Sequence, residues 1–184
     1  PLLVASCQNA KVIVDLLLKH PKINVNLQEK KASFPLWIAS KYGYKNVVKE
    51  LLSHKNIDVN LRYKDGKTSL YTAVEQGRPE VVKELLNHQE TDPNLKAHDG
   101  NSPLHIAIIG RKTKMVQLLL QDGRIKVNLK NSKGLSALCI ATQHGYEKMI
   151  RLLLDHSEIN VNQQTSDGFP PLVVASYQNA KVIA

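Results

Sequence analysis

A rhythm of 34 residues constrains this chain more than any other feature: Ala5, Ala39, Ala73, Ala107, Ala141 and Ala175 recur at that spacing without slippage. Three residues before each alanine stands a leucine (Leu2, Leu36, Leu70, Leu104, Leu138, Leu172), preceded by proline in four copies and by Ser69 or Ala137 as the residue in the proline position in the other two. A second column runs Leu17, Leu51, Leu85, Leu119 and Leu153, with Val14, Val48, Val82, Val116 and Ile150 three residues earlier. Asn26, Asn60, Asn94, Asn128 and Asn162 form a third. Self-similarity at a fixed period of this length marks stacked repeats, in which each unit is too small to bury its own apolar face.

The columns translate into local structure. Proline at a first helical position has a suitable φ and lacks an N–H that would go unpaired there, and Thr68, Ser102 and Ser136 stand just before that position as caps. The first helix of each unit is expected to stop near Gly43, Gly77 and Gly145, residues suited to a left-handed helix end, with Asn9 and Asn179 next best and Gly110 serving beside Arg111, where the column breaks. The second helix shows an apolar i, i+1, i+4, i+5 face such as Val47, Val48, Leu51 and Leu52, tolerates Pro79 in its first turn, and closes at His20, His54, His88 or His156. An extended Ile-x-Val-Asn stretch then leads into Asp65-Gly66, Asp99-Gly100, Lys133-Gly134 or Asp167-Gly168, a hairpin-turn signal. Ala32 takes the glycine position once, and that hairpin is expected to be distorted, since alanine at positive φ costs about 1 kcal/mol or more.

Helices this short fall well under the roughly 12 to 15 residues needed to persist alone in water, so neighbours must stabilise one another. The expected fold is an all-α solenoid of stacked helix-turn-helix units joined by β-hairpin loops. One array over 1–184 would comprise a partial repeat 1–25, full repeats 26–59, 60–93, 94–127 and 128–161, and a partial repeat 162–184. Residues 1–13 match 171–183 at 11 of 13 positions, and neither end has the polar outer repeat of a capped array. A fragment of a longer array is therefore expected, with ends open to end-to-end self-stacking.

Composition narrows the chemistry. No apolar run reaches the length of a membrane span. The two cysteines, Cys7 and Cys139, lie four repeats apart, too far for a disulfide and without a neighbouring base in any motif. Equivalent histidines in adjacent units would lie roughly 10 Å apart, too far to share a metal, and are read as donors to the last helical carbonyls. The asparagine column is read as bonding nearby backbone at each loop entrance. No cofactor, small-molecule substrate or enzymatic site is expected, and the cytosol or nucleus fits a chain with this cysteine usage.

The segment Gly100-Asn101-Ser102-Pro103-Leu104-His105-Ile106-Ala107, echoed by Gly66-Lys67-Thr68-Ser69-Leu70-Tyr71-Thr72-Ala73, resembles the ankyrin repeat with its Thr-Pro-Leu-His-x-Ala core. The resemblance spans essentially the whole chain, although the family's usual unit is 33 residues and this one carries an extra residue after the second helix. It implies a non-catalytic protein–protein interaction scaffold, gripping a protein or peptide on the concave face made by loop tips and first helices. Contacts would come from Lys30, Lys31, Ser33, Lys41 and Tyr42, then Arg62, Lys64, Asp65, Lys67, Glu75 and Gln76. They would continue through Lys96, His98, Asn101, Lys130, Lys133, Leu135, Gln143, His144 and Phe169. The excess of 25 Lys and Arg over 16 Asp and Glu favours an acidic ligand. The alternatives are electrostatic binding of nucleic acid or an anionic surface, or a passive targeting arm of a larger enzyme.

If the alanine column is the inter-repeat contact, Ala107→Asp should lower the melting temperature and unfold more than its own unit, because it buries an unpaired charge. Lys64→Ala should leave the melting temperature within about 0.5 kcal/mol equivalent of the parent. Equal melting curves for Ala107→Asp and the parent would remove the assignment.

Overall fold

The computed structural model describes residues 1–29, 33–173 and 176. Lys30, Lys31 and Ala32, and most of the second copy of the 13-residue match, including Asn179, lie outside the described residues. Among the described residues short helices follow one another: α1 (Leu2–Cys7), α2 (Lys11–Leu18), α3 (Pro35–Tyr42), α4 (Lys45–Leu52), α5 (Ser69–Glu75), α6 (Pro79–Asn87), α7 (Pro103–Ile109), α8 (Thr113–Leu120), α9 (Ala137–Gln143) and α10 (Glu147–Leu154). Odd-numbered helices pack on one another in one layer, even-numbered ones in a second, and each pair is also packed internally. The result is an all-α stack of helix-turn-helix units.

The core is the set of repeating columns. Ala39, Ala73, Ala107 and Ala141 are 0% exposed, and so are Val48, Val82 and Val116 of the second helices. An alanine in the first helix lets adjacent repeats approach closely, and the branched residues of the second helix fill the space between layers.

Local chemistry sets the helix ends. Thr68 Oγ1 accepts from Tyr71 N–H at 3.2 Å and Ser136 Oγ from Cys139 N–H at 3.3 Å, so both act as N-caps. Ser102 and His105 cap reciprocally, Ser102 N–H donating to His105 Nδ1 at 3.2 Å. The first helices end in a left-handed residue at Asn9, Gly43, Gly77, Arg111 and Gly145. Here the sequence expectation fails in one place. Gly110 has φ −78°, and Arg111 itself takes φ +53°, because register along the stack, not residue preference, fixes which position turns.

The expected β-hairpins are closed turns: no strand forms among the described residues, and the only bridge there joins Lys130 and Ser136. In one loop Tyr63 N–H donates to Lys67 O at 2.9 Å and Gly66 N–H to Tyr63 O at 2.8 Å. The next two loops repeat this at Ala97–Asn101 and Asn131–Leu135. The carbonyls that would extend a ladder are engaged by the preceding repeat: Gln28 Nε2 donates to Arg62 O at 3.2 Å, Arg62 Nη1 to Lys96 O at 2.7 Å, and Lys96 Nζ to Lys130 O at 2.7 Å. The loops at Gly66, Gly100 and Gly134 also touch the loop that follows, so that a Cβ on Gly100 would collide with the Ser132 backbone nitrogen.

Two polar columns act differently from the sequence expectation. The asparagines do not bond their own loop; each clips the loop that follows one helix pair to the loop that follows the next. Asn26, Asn60, Asn94 and Asn128 each donate from Nδ2 to a carbonyl 30 residues on, at 2.6–2.8 Å, and accept at Oδ1 from an N–H 32 residues on, at 2.8–2.9 Å. Three of the four histidines after the second helices are acceptors, not donors: His20, His54 and His156 receive at Nδ1 the N–H of the residue two further on, at 3.2–3.3 Å, whereas the buried Nδ1 of His88 has no hydrogen-bond partner. Asp122 does the same for Arg124 N–H at 3.0 Å, which explains why an aspartate substitutes in this column.

The junction between the third and fourth repeats carries an extra brace. Helix α6 runs to Asn87, and Thr91 and Pro93 replace the isoleucine and valine found at those positions in other units. Thr91 Oγ1 donates to Leu85 O at 2.6 Å. The Arg124 guanidinium reaches back to Leu86, His88, Gln89 and Thr91 carbonyls at 2.6–3.3 Å, and Asp122 holds it at 2.6 Å.

Removing one clip tests the stack: Asn94→Ala should lower the stability of the array by about 2 kcal/mol, two net hydrogen bonds, whereas Asn46→Ala on the exposed face of α4 should change little. Matching urea midpoints for the two variants would argue against the clips. His105 gives a pH test. Burial lowers its pKa from the ordinary 6.5 against the opposing bond to the Leu135 carbonyl, and Lys96 adds to the lowering. The folded ring stays neutral while the unfolded one takes up a proton, so this contribution is complete above pH 6.5 and is lost as pH falls below it. The decline in melting temperature between about pH 7 and 5.5 should be shallower in His105→Gln.

Candidate functional site

The positions left free by the columns lie along the face made by loop tips and first helices. In the second and third repeats this face is aromatic and charged. Trp37 stacks on Tyr63 with ring centroids 4.2 Å apart, and its Nε1 donates to Thr72 Oγ1 at 3.0 Å. Lys41 Nζ lies 5.1 Å from the Trp37 ring centroid and 5.7 Å from that of exposed Tyr42. Lys67 sits between Asp65 and Glu75, 3.0 Å from each. Burial works against its charge, but the bonds to both carboxylates outweigh it and raise its pKa above 10.5.

Much of the expected binding charge is therefore already engaged. Arg62 and Lys96 make the inter-loop bonds described above, and Lys130 contributes its carbonyl. Asp65, Lys67 and Glu75 form one ion-paired group. Ser33 closes its loop by accepting from Glu29 N–H at 3.0 Å. Lys64 and Gln76 are exposed, as is His98, whose backbone N–H donates to Asp65 O at 3.0 Å. Phe169 is 42% exposed at the fifth described loop.

Farther along, the same face opens into a groove of about 550 Å³ lined by Asp99, Asn101, Ile109, Asn131, Lys133, Leu135, Ile140, Gln143 and His144. It joins two loops to the ends of α7 and α9, and brings together five residues expected from sequence: Asn101, Lys133, Leu135, Gln143 and His144. Its floor is apolar, with Ile109 at 42% exposure beside buried Ile140 and half-buried Leu135. The polar rim is ordered: Asn131 Nδ2 donates to Asn101 Oδ1 at 2.9 Å, and Asn101 Nδ2 to Asp99 Oδ2 at 2.7 Å.

Ile109, Asp99, Asn131 and Ile140 are the lining residues that the sequence reading omits. Ile109 had a signal: it shares a register with Lys41, Glu75 and Gln143, all of which that reading includes.

One position per repeat shows how the same place hosts different chemistry. Trp37, Tyr71, His105 and Cys139 occupy it in turn. Leu135 O can only accept, so the 3.0 Å contact to His105 Nε2 puts the ring proton there and leaves Nδ1 free to accept from Ser102. Cys139 Sγ approaches Gln163 O at 3.7 Å. Burial, with Asp99, Glu75 and Asp65 adding to it, raises the Tyr71 phenol far above its ordinary range. These are inter-repeat contacts with no reactive partner. Among the described residues no group of three or more His, Cys, Asp or Glu could hold a metal ion, and Cys7 and Cys139 are both free thiols. No helix among the described residues is long and apolar enough to cross a membrane.

Solved structures share this architecture. EF0377, an ankyrin repeat protein, superposes with a TM-score of 0.87 at 24% identity, over 99% of this chain and 93% of that one. The ankyrin repeat domain of Bcl-3, a member of the IkappaB family, gives 0.89 at 26% identity over 100% of this chain and 81% of its own. An ankyrin repeat domain from Acinetobacter baumannii AYE gives 0.87 at 23% identity over 100% and 93%. No curated protein matches the sequence. A family model for three copies of ankyrin repeats matches residues 2–97, 62–131, 87–165 and 124–184. Such arrays are non-catalytic scaffolds that generally mediate protein–protein interactions. The stacked helix pairs, the Pro-Leu-His-x-Ala helix start of the fourth repeat and the matched family model lead to one conclusion: this chain belongs to the ankyrin-repeat family.

Proposed function

We propose that the chain holds an extended protein or peptide segment along the loop and first-helix face, with an apolar side chain of the ligand seated between Ile109, Leu135 and Ile140. The groove of about 550 Å³ carries this reading, because solvent-facing apolar surface is ringed there by positioned polar groups. An amide- and lysine-bearing rim of Asn101, Lys133, Gln143 and His144 suits the backbone and polar side chains of an extended ligand. Exposed Tyr42, Lys64, Gln76 and His98 would extend contact toward the second repeat, and Phe169 toward the sixth. Lys41, poised over Trp37, would favour acidic groups there. The units 26–59 to 128–161 serve as the rigid backing, and an intracellular setting, cytosol or nucleus, accords with two unpaired thiols.

The test is affinity capture from lysate followed by mass spectrometry at low and high salt, with Ile109→Glu in parallel. A partner retained at high salt and lost in Ile109→Glu, with an unchanged melting temperature, supports the groove. A partner indifferent to Ile109→Glu refutes it. Material captured at low salt alone and removed by nuclease would favour the electrostatic alternative instead.

A further inference from the structure

Helix α8 differs from the other second helices in its charges. At the starts of α2 and α4 the basic groups are paired: Lys11 with Glu50 at 2.9 Å, and Lys45 with Glu84 at 3.5 Å and Glu80 at 3.8 Å. One repeat on from Glu80 stands Lys114, and one repeat on from Glu84 stands Leu118. The fourth repeat thus presents Arg111, Lys112 and Lys114 around the α7–α8 turn, with no Asp or Glu from 111 to 120. Among the described residues none of the three is ion-paired, and Arg111 and Lys114 are exposed.

This cationic turn is continuous with the apolar groove. Ile109 lines the groove two residues before Arg111. On the other side His144, also lining the groove, stacks on Tyr146 with centroids 5.2 Å apart, and the Arg111 guanidinium lies 5.0 Å from the Tyr146 ring centroid. The two surfaces therefore meet through a His-Tyr-Arg stack. Resting on the scaffold reading above, we propose that the α7–α8 turn is an acidic subsite, and that the ligand is a protein segment pairing a bulky apolar residue with nearby Asp or Glu. The Cα atoms of Ile109 and Arg111 are at most about 7 Å apart, two peptide units, so the acidic residue falls within two or three positions of the apolar one. Charge complementarity favours carboxylates over neutral groups at Arg111, Lys112 and Lys114.

The experiment is selection of a displayed library of random 12-residue peptides on the parent protein, on Lys112→Glu/Lys114→Glu and on Ile109→Glu. Ile109 and Lys114 are exposed and Lys112 is half-buried, and circular dichroism melting verifies folding of each variant. The parent should enrich peptides with Asp or Glu within three positions of a bulky apolar residue. The double variant should keep the apolar preference, lose the acidic one, and bind the parent-selected peptide roughly tenfold more weakly. Arg111→Gly, at a position that is glycine in three other repeats, provides a second variant and should weaken the same peptide.

Enrichment of apolar residues without an acidic preference, or an acidic preference unchanged by the charge reversal, overturns the subsite and leaves the scaffold reading standing. Equal enrichment on the parent and on Ile109→Glu refutes the groove itself. Displacement of the selected peptide by a 20-nucleotide oligothymidylate, with oligonucleotide binding tighter than peptide binding and lost in the double variant, would assign the turn to nucleic acid and overturn the proposal.

Discussion

None of the helices α1 to α10 can stand by itself. The named helices run from six to nine residues, short of what an isolated helix needs in water, so each exists only because the next repeat covers its apolar face. Burial between units is therefore the condition for secondary structure as well as for the fold. The fully buried alanines of the first helices and valines of the second are the surfaces on which that condition is met. Because each unit depends on its immediate neighbours, stability is distributed along the stack instead of being concentrated in a single centre.

On this apolar stack lies a second, directional layer of contacts. The asparagine clips join the loops that follow successive helix pairs, with near-identical geometry at four junctions. The loop-to-loop bonds from Gln28, Arg62 and Lys96 do the same with three different donors. Apolar burial favours stacking in general, whereas these bonds fix how far one unit slides or rotates relative to the next. The outcome is a face whose loop tips and helix ends have set positions, which is the requirement for a groove such as that between Ile109 and Leu135.

The fold is largely legible in the sequence because burial imposes a period, and period survives without knowledge of partners. Ala107 and Val116 read as core from spacing alone, and both are fully buried. What escapes are the contacts that run from one repeat to the next. The role of Asn94 cannot be deduced from its own loop, since its partners are Arg124 and Lys126. Arg111 looks like a break beside a usable glycine, yet stack register places the left-handed turn on Arg111. At the candidate site, exposed loop residues such as Lys133 and Leu135 are readable as variable positions. Ile109 is not, because an isoleucine at a helix end reads as core until its register is compared with that of Lys41 and Glu75.

The Arg124 brace has a mechanical meaning. Every clipped junction pairs its asparagine with one loop-to-loop bond, and the one between the third and fourth repeats adds a guanidinium spread over four carbonyls and anchored by Asp122. That junction lies between the charged aromatic stretch and the apolar groove, so more hydrogen bonds must break there than at a junction without the guanidinium before the two surfaces can shift against each other.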